Sequence, residues 1–461
     1  MRSYLFALAA AVGVISVAAA AEPRAPNILI IVSDDQGYGD IGVHGCKDIP
    51  TPNIDSIAKY GVRCTNGYVS GPYCSPTRAG LMTGRYQTRF GHEFNPGPKD
   101  ETPDIGLPLT EVTLAERFKA AGYKTGMVGK WHLGYTEKLR PTSRGFEEFY
   151  GFLAGAHPYT PPGKAGHRGI FRGTKEVEET GYLTDVFARE ALAYLDRHGK
   201  EPFFLYLAFN AVHGPMHPCE RYLKRFESIK NETRRTYATM LTAMDDAIGQ
   251  VLQKLKDLGI ADDTLITFIS DNGGPEQVNA SDNGPLNGGK ATTWEGGIRV
   301  PFLIQWPNGK LPAGTTYDQP VIQLDLFPTV LSAARADPEG KSVKLDGVNL
   351  LPYLRGEVRT PPHEALYWRF GGQLAVRAGD WKLVKAATGG GRAGGGGAAL
   401  RREKATVDGA KLFNLRDDVG EQTDLAAKMP EKVAELAGMW QKWNAELIEP
   451  RWGPPARKKG E

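Results

Sequence analysis

Five short apolar runs constrain this chain more than any other feature: NILIIVS (27–33), KTGMVG (124–129), FFLYLAF (203–209), TLITFIS (264–270) and VPFLIQW (300–306). Each is strand-length, rich in β-branched or aromatic residues, and largely apolar without alternation. Such runs fit strands of a parallel sheet covered on both faces. Segments of helical periodicity lie between them, LTEVTLAERFKAAG (109–122) before the second run and YATMLTAMDDAIGQVLQKLKDLG (237–259) before the fourth. Alternating strand and helix predicts an α/β fold with a large, mostly parallel sheet sandwiched by helices. In such folds ligands gather beyond the carboxyl ends of the strands.

At 461 residues the chain is too long for one ordinary core, since a domain holds about 150 residues. The texture changes near Pro361. QLAVRAGDWKLVKA (373–386) and AKLFNLRDD (410–418) read as antiparallel strands, and EKVAELAGMWQKWNAEL (431–447) as an amphipathic helix. We expect an α/β domain over 22–360 and a smaller α+β unit over 361–461, interrupted by the Gly-rich segment TGGGRAGGGGAALRREK (388–404). At the start, Arg2 precedes an apolar run with Ala-x-Ala options, which predicts a signal peptide over 1–21 rather than a membrane anchor. The protein is then expected in the periplasm or outside the cell. A formal net charge of +3 argues against a nucleic-acid partner, so an acidic ligand needs a local site.

The strand ends carry that chemistry. The first run leads into SDDQGYGD, placing Asp34 and Asp35 at its carboxyl end, and the fourth into SDNGG, placing Asp271 and Asn272 at the matching point. Either motif alone suits turn chemistry. Together they collect carboxylates that repel unless a cation compensates them, and hard oxygen donors of this kind suit Ca²⁺ or Mg²⁺. The second run ends in GKWHLG, where Lys130 and His132 would project to one side of an extended backbone. The third leads to His213 in NAVHGPMHP, with His217 read as structural, and Lys290 lies in a glycine-rich loop before the fifth.

Four cysteines, Cys46, Cys64, Cys74 and Cys219, permit two disulfides, and Cys74 fits a bridge. Its surroundings, SGPYCSPTRAG, suggest more. Pro76 suits a first helical turn, which puts Cys74 at a helix N-terminus and Arg78 one turn on. A thiol there could also be a nucleophile of lowered pKa.

With these residues in place the sequence resembles the type I, formylglycine-dependent sulfatases of the alkaline phosphatase superfamily. CSPTRAGLMTG looks like their Cys-x-Pro-x-Arg signature, and GKWHLG, SDDQGYGD, SDNGG and GGKATTWEGGIRVP are similar to further blocks in the same order. The resemblance covers essentially the whole mature chain. It implies a mixed, mostly parallel sheet and a maturation enzyme that oxidises Cys74 to formylglycine. It implies Ca²⁺, with Mg²⁺ less favoured, held by Asp34, Asp35, Asp271, Asn272 and modified residue 74. Arg78 and Lys130 would stabilise the hydrated aldehyde, and Lys290 would bind sulfate. His213 would protonate the leaving oxygen, and His132 would take the proton that releases sulfate. A further sulfate contact is expected after RGFEEFYGF, where His157 is the nearest match in a basic loop with Lys164, His167, Arg168 and Arg172. With residue 74 modified, Cys46, Cys64 and Cys219 permit one disulfide at most. The implied function is hydrolysis of a sulfated carbohydrate or a small sulfate ester. The alternatives are a phosphonate or phosphate ester hydrolase, and a non-catalytic sulfoglycan-binding protein. Asn231 and Asn279 begin glycosylation triplets, NET and NAS.

Overall fold

In the computed structural model, which describes residues 25–97, 105–161, 169–336, 344–387 and 403–453, all five apolar runs are strands of one sheet. The expected signal peptide, most of the Gly-rich segment, and Lys164, His167 and Arg168 lie outside the described residues. In chain order the strands are β1 (Asn27–Ser33), β2 (Val62–Cys64), β3 (Gly67–Tyr68), β4 (Lys124–Lys130), β5 (Glu148–Phe152), β6 (Ile170–Arg172), β7 (Lys175–Val177) and β8 (Phe203–Ala208). They continue with β9 (Thr264–Ser270), β10 (Phe302–Gln305), β11 (Thr315–Tyr317), β12 (Val321–Ile322), β13 (Leu366–Phe370), β14 (Gln373–Ala378), β15 (Trp381–Lys385) and β16 (Lys411–Asn414).

Ten of them form the large sheet, in the order β11-β2-β10-β9-β1-β8-β4-β5-β6-β7. Strands β9, β1, β8, β4 and β5 run parallel, with Asn27 to Ser33 opposite Thr264 to Ser270. Every residue of β1, β8 and β9 is buried, as unbroken apolar strands require. The fifth run departs from a parallel expectation: β10 is antiparallel to both β9 and β2. The loop before β10 therefore arrives at the same sheet edge where its parallel neighbours end.

Helices α1 (Pro52–Lys59), α2 (Cys74–Thr83), α3 (Leu114–Ala120), α4 (Leu183–His198) and α5 (Glu232–Asp257) accompany this sheet. Helix α3 starts later than its periodicity suggests, because Thr113 and Glu116 form a reciprocal cap: Glu116 N–H donates to Thr113 Oγ1 at 3.1 Å, and Thr113 N–H to Glu116 Oε2 at 2.7 Å. Helix α5 starts earlier, at Glu232, because Asn231 Oδ1 accepts the Arg234 N–H at 3.0 Å. The second glycosylation triplet fails on burial, since Asn279 is 1% exposed with its amide engaged.

Strands β13 to β16 form a separate antiparallel sheet, and helix Pro430–Asn444 buries Leu436, Ala437, Trp440 and Trp443. Their core also takes in Tyr68, Tyr86, Trp294 and Ile298. All four cysteines are free thiols. Among the described residues no helix is long and apolar enough to cross a membrane.

Candidate active site

Strand geometry brings the candidate residues together. Asp34 and Asp35 follow β1, Lys130 closes β4, His213 lies beyond β8, and Asp271 and Asn272 follow β9. Helix α2 begins at Cys74 after the extended Tyr73, and all ten of its residues are buried. Arg78 crosses from α2 to Asp271, with Nε 3.0 Å and Nη2 2.8 Å from Oδ2, and its Nη1 donates to the Lys130 carbonyl at 3.0 Å. Lys130 Nζ is 2.5 Å from Asp34 Oδ2. Lys290, delivered by the loop before β10, places Nζ 2.5 Å from Asp35 Oδ1 and 3.3 Å from Cys74 Sγ. The thiol donates to Asp34 Oδ1 at 3.6 Å, and His213 Nε2 is 3.5 Å from Asp35 Oδ2.

One ligand atom each from Asp34, Asp35, Cys74 and His213 lie within 4.8 Å of one another. Asp271 borders this cluster, its Oδ1 accepting the Asp35 N–H at 3.3 Å and its Oδ2 turned to Arg78. Asn272 donates to Asp35 Oδ1 at 2.8 Å, which leaves its own Oδ1 buried without a partner. A buried carbonyl oxygen without a donor, beside a pair of carboxylates, suits a hard cation. The charge balance agrees. Asp34, Asp35 and Asp271 against Arg78, Lys130 and Lys290 leave no excess positive charge to attract an anion. Burial, then repulsion from Asp34, push Asp271 up to about 6, as expected of crowded carboxylates taken out of water. The residues present fit a divalent cation.

Cys74 itself is not a poised thiolate. Burial pushes its thiol up to about 12, against the opposing pull of Lys130 and Lys290. Desolvation outweighs both lysines, which disfavours a lowered-pKa thiolate at this position. Burial also opposes ionisation of Asp34, but Lys130, His213 and Arg78 together hold it well below the carboxylate range. Burial, then Lys130 and Arg78, hold His132 far below its ordinary value, so the ring is neutral. Burial likewise lowers His213, with Asp35 and Asp34 opposing.

Two placements differ from simple strand alternation. Strand β4 stops at Lys130, and His132 takes φ 60°, so it does not continue an extended backbone. Asp35, at φ 61°, is likewise left-handed, and Asn279 Nδ2 donates to its carbonyl at 3.1 Å. His157 is buried after β5, its Nδ1 2.6 Å from the Pro158 carbonyl and its ring centroid 5.2 Å from that of Phe152. It is tied to the His213 segment, since Asn210 Nδ2 donates to its carbonyl at 3.3 Å and the nearby Tyr159 hydroxyl donates to the His213 carbonyl at 2.8 Å. His217 Nδ1 lies 2.9 Å from Thr160 Oγ1. Sequence reasoning missed Asn279, Tyr206 (whose hydroxyl accepts Arg78 Nη1 at 3.5 Å) and Ser75 with His92. A polar residue inside an apolar strand was the available signal for Tyr206, and the others had none.

With a divalent cation added among Asp34, Asp35 and Asp271, this sheet edge would carry the excess positive charge that suits a hydrolase of anionic esters. The family is narrower than that. Residues 26–336 match the Sulfatase family model, and the chain belongs to the sulfatase family, with the fold of the alkaline phosphatase superfamily; it is a sulfuric ester hydrolase. It is 32% identical to arylsulfatase J of Mus musculus, over 93% of this chain and 77% of that protein. It is 37% identical to N-acetylgalactosamine-6-sulfatase of Homo sapiens, over 79% of this chain and 72% of that protein. Among solved structures it is similar to Ps i-CgsB in complex with k-i-k-neocarrahexaose, with a TM-score of 0.82, 35% identity, and coverage of 93% of this chain and 95% of that one.

Proposed function

We propose that this exported sulfatase removes sulfate from a sulfated carbohydrate through a formylglycine made from Cys74. The observation that carries this is the convergence of Asp34, Asp35, Cys74 and His213 within 4.8 Å, with Lys290 Nζ 3.3 Å from the sulfur. The names of the relatives, a galactosamine-6-sulfatase and a protein crystallised with a neocarrahexaose, support a glycan over a small aryl sulfate. On this reading residues 22–360 carry the chemistry and 361–461 brace it.

Cys74 Sγ stands where an oxygen of the hydrated aldehyde would stand. Asp34, Asp35, Asp271 and Asn272, with that oxygen, would hold Ca²⁺ in preference to Mg²⁺. Bound there, the cation would lower the pKa of the hydroxyl on residue 74 and offset the sulfate charge. One hydroxyl attacks sulfur, the bond from sulfur to the substrate oxygen breaks, and His213 supplies the proton that the departing oxygen needs. Burial lowers His213 in the free protein, and the charge of a bound sulfate acts in the opposite sense. His132, neutral and buried, takes the proton of the second hydroxyl as the carbonyl re-forms and sulfate leaves. Arg78, Lys130 and Lys290 are fixed before reaction, so their fields cost no reorganisation. His157 enters this reading only as a candidate sulfate contact.

Mass spectrometry of the peptide spanning Cys74 is the direct test: conversion removes one sulfur and two hydrogens and adds one oxygen. Native enzyme with an intact thiol and full turnover would refute the mechanism. Parallel assays with aryl sulfate, aryl phosphonate and a sulfated-glycan panel separate this reading from a phosphonate hydrolase, and a protein that keeps its Cys74 thiol and binds sulfated glycans without turnover would be the non-catalytic case. Chelation is expected to abolish activity, and Ca²⁺ at a hundredfold excess over its Kd to stabilise the fold by about 2.7 kcal/mol. A thermal shift series with Ca²⁺ and Mg²⁺ measures this and ranks the two.

Gly155 checks the assignment of His132. A Cβ at this position would come within 2.6 Å of Cε1 and Nε2 of the His132 ring. Gly155→Ala is expected to displace the imidazole and lower kcat by roughly 10²-fold, with much less effect on KM. An unchanged kcat would remove His132 from the mechanism.

A further inference from the structure

The four residues HEFN, 92–95, belong to no motif identified in the sequence, yet two of them bond Ser75, next to residue 74, and the other two the C-terminal sheet. Ser75, next to Cys74, is wholly buried. Its hydroxyl donates to the His132 carbonyl at 2.6 Å, and His92 Nε2 lies 2.6 Å from the same oxygen. With the Ser75 proton committed to the carbonyl, the His92 tautomer bearing Nε2–H satisfies both contacts. Burial holds His92 down at about 3, so the ring is an uncharged donor at neutral pH. Asn95 Oδ1 accepts the Ser75 backbone N–H at 2.9 Å, satisfying an otherwise unbonded first-turn donor of α2.

The two remaining residues face the C-terminal sheet. Glu93 Oε2 accepts Arg369 Nε at 2.9 Å, and its Oε1 accepts the Gly371 N–H at 2.7 Å. Phe94 packs on Phe370 with ring centroids 5.3 Å apart, and its carbonyl accepts Trp452 Nε1 at 3.1 Å. Trp452 also stands edge-on to His92, 4.7 Å between centroids. The outer pair of the segment, His92 and Asn95, therefore grips the nucleophile turn, and the inner pair, Glu93 and Phe94, grips the C-terminal sheet.

His132 needs such support. Its φ of 60° is a region that a non-glycine residue keeps only when its surroundings impose it. We propose that His92 is a positioning residue: through Ser75 Oγ it fixes the His132 carbonyl, and with Asn95 it fixes residue 75, so that residue 74 and the His132 imidazole keep one register. The catalytic value of that register rests on the proposed roles of residues 74 and 132.

His92→Phe keeps a ring of similar size and removes the donor, whereas His92→Gln retains an N–H donor. Neither alters CSPTR, and formylglycine content is measured in each preparation so that rates are expressed per modified site. For aryl sulfate hydrolysis the Phe variant is expected to lose about 10- to 100-fold in kcat with KM within about twofold, and the Gln variant to recover most of it. Ser75→Ala, measured the same way, should match the Phe variant, with Ser75→Thr near wild type; this pair decides the question if His92→Phe does not fold. Wild-type kcat in both donor-deleting variants, or a loss that neither conservative variant restores, overturns the proposal. A crystal structure of His92→Phe or Ser75→Ala decides it independently of turnover. A His132 carbonyl displaced by more than about 1 Å supports the clamp, and an unmoved one refutes it. Wild-type protein that carries formylglycine and releases no sulfate would instead count against the proposed function, with the crystallographic result still deciding the clamp.

Discussion

Cys74→Ala is expected to lower sulfate release by at least about 10³-fold, because it deletes the nucleophile while the binding residues remain. Folding should be little affected: the side chain is small, and its polar contacts are one long hydrogen bond to Asp34 and one from Lys290. Cys74→Ser is the more discriminating change. A serine hydroxyl can attack sulfur and expel the substrate alcohol, which takes its proton from His213. The serine then carries the sulfate, but no second hydroxyl is present on that carbon to eliminate it. Turnover should cease after one event, and intact mass should show one added SO₃ per chain. Steady turnover by either variant would mean that residue 74 is not the nucleophile. A serine variant that never acquires sulfate, in a protein that still binds substrate, would mean that the ester is not presented to residue 74.

The large sheet was legible because its central strands are buried on both faces, which forces composition to follow structure. NILIIVS and TLITFIS coincide with β1 and β9, and KTGMVG falls one residue short of β4. The edge strand β11 and its neighbour β2 are three residues each and partly exposed, so they left no comparable pattern. The direction of β10 was hidden for a different reason: a buried strand has the same composition whether parallel or antiparallel. The convergence of Asp34, Lys130, His213 and Asp271 could be anticipated because adjacent parallel strands end at one edge. The backbone of His132 and Asp35 could not, since left-handed conformations at non-glycine residues are imposed by tertiary contacts. His92 and Asn95 were equally silent, because their function depends on a meeting with Ser75 that no local spacing encodes.

Lys382→Met is expected to destabilise the protein by about 3–5 kcal/mol, the usual cost of leaving buried charges unpaired. Lys382 is wholly buried, with Nζ 2.9 Å from Glu295 Oε1 and 2.8 Å from Glu421 Oε1. Glu421 Oε2 also accepts the Glu295 backbone N–H at 2.8 Å, and the Tyr68 hydroxyl donates to Glu295 Oε2 at 2.6 Å. Lys382 lies on β15, and Glu295 opens a short helix just after the Lys290 loop, so this cluster joins the C-terminal sheet to the element that delivers Lys290. Burial opposes ionisation of Glu295, but Lys382, Arg299 and Arg377 hold it down at about 2. Its contribution is therefore present above its unfolded value of 4.5 and is lost as pH falls through about 2. Glu421 behaves oppositely. Burial pushes it up to about 7 despite Lys382, so its contribution is present below 4.5 and fades as pH rises through about 7. Removing the ammonium raises Glu295 from its lowered value and Glu421 further, and the cost grows as they are forced to ionise. The stability gap between variant and wild type should widen from pH 5 to pH 8, as read by urea denaturation at each pH. The double variant Lys382→Met/Glu421→Gln should recover much of the loss at pH 8, since one of the two stranded charges is gone. A gap of equal size at both pH values would show that lost packing, and not stranded charge, accounts for the destabilisation.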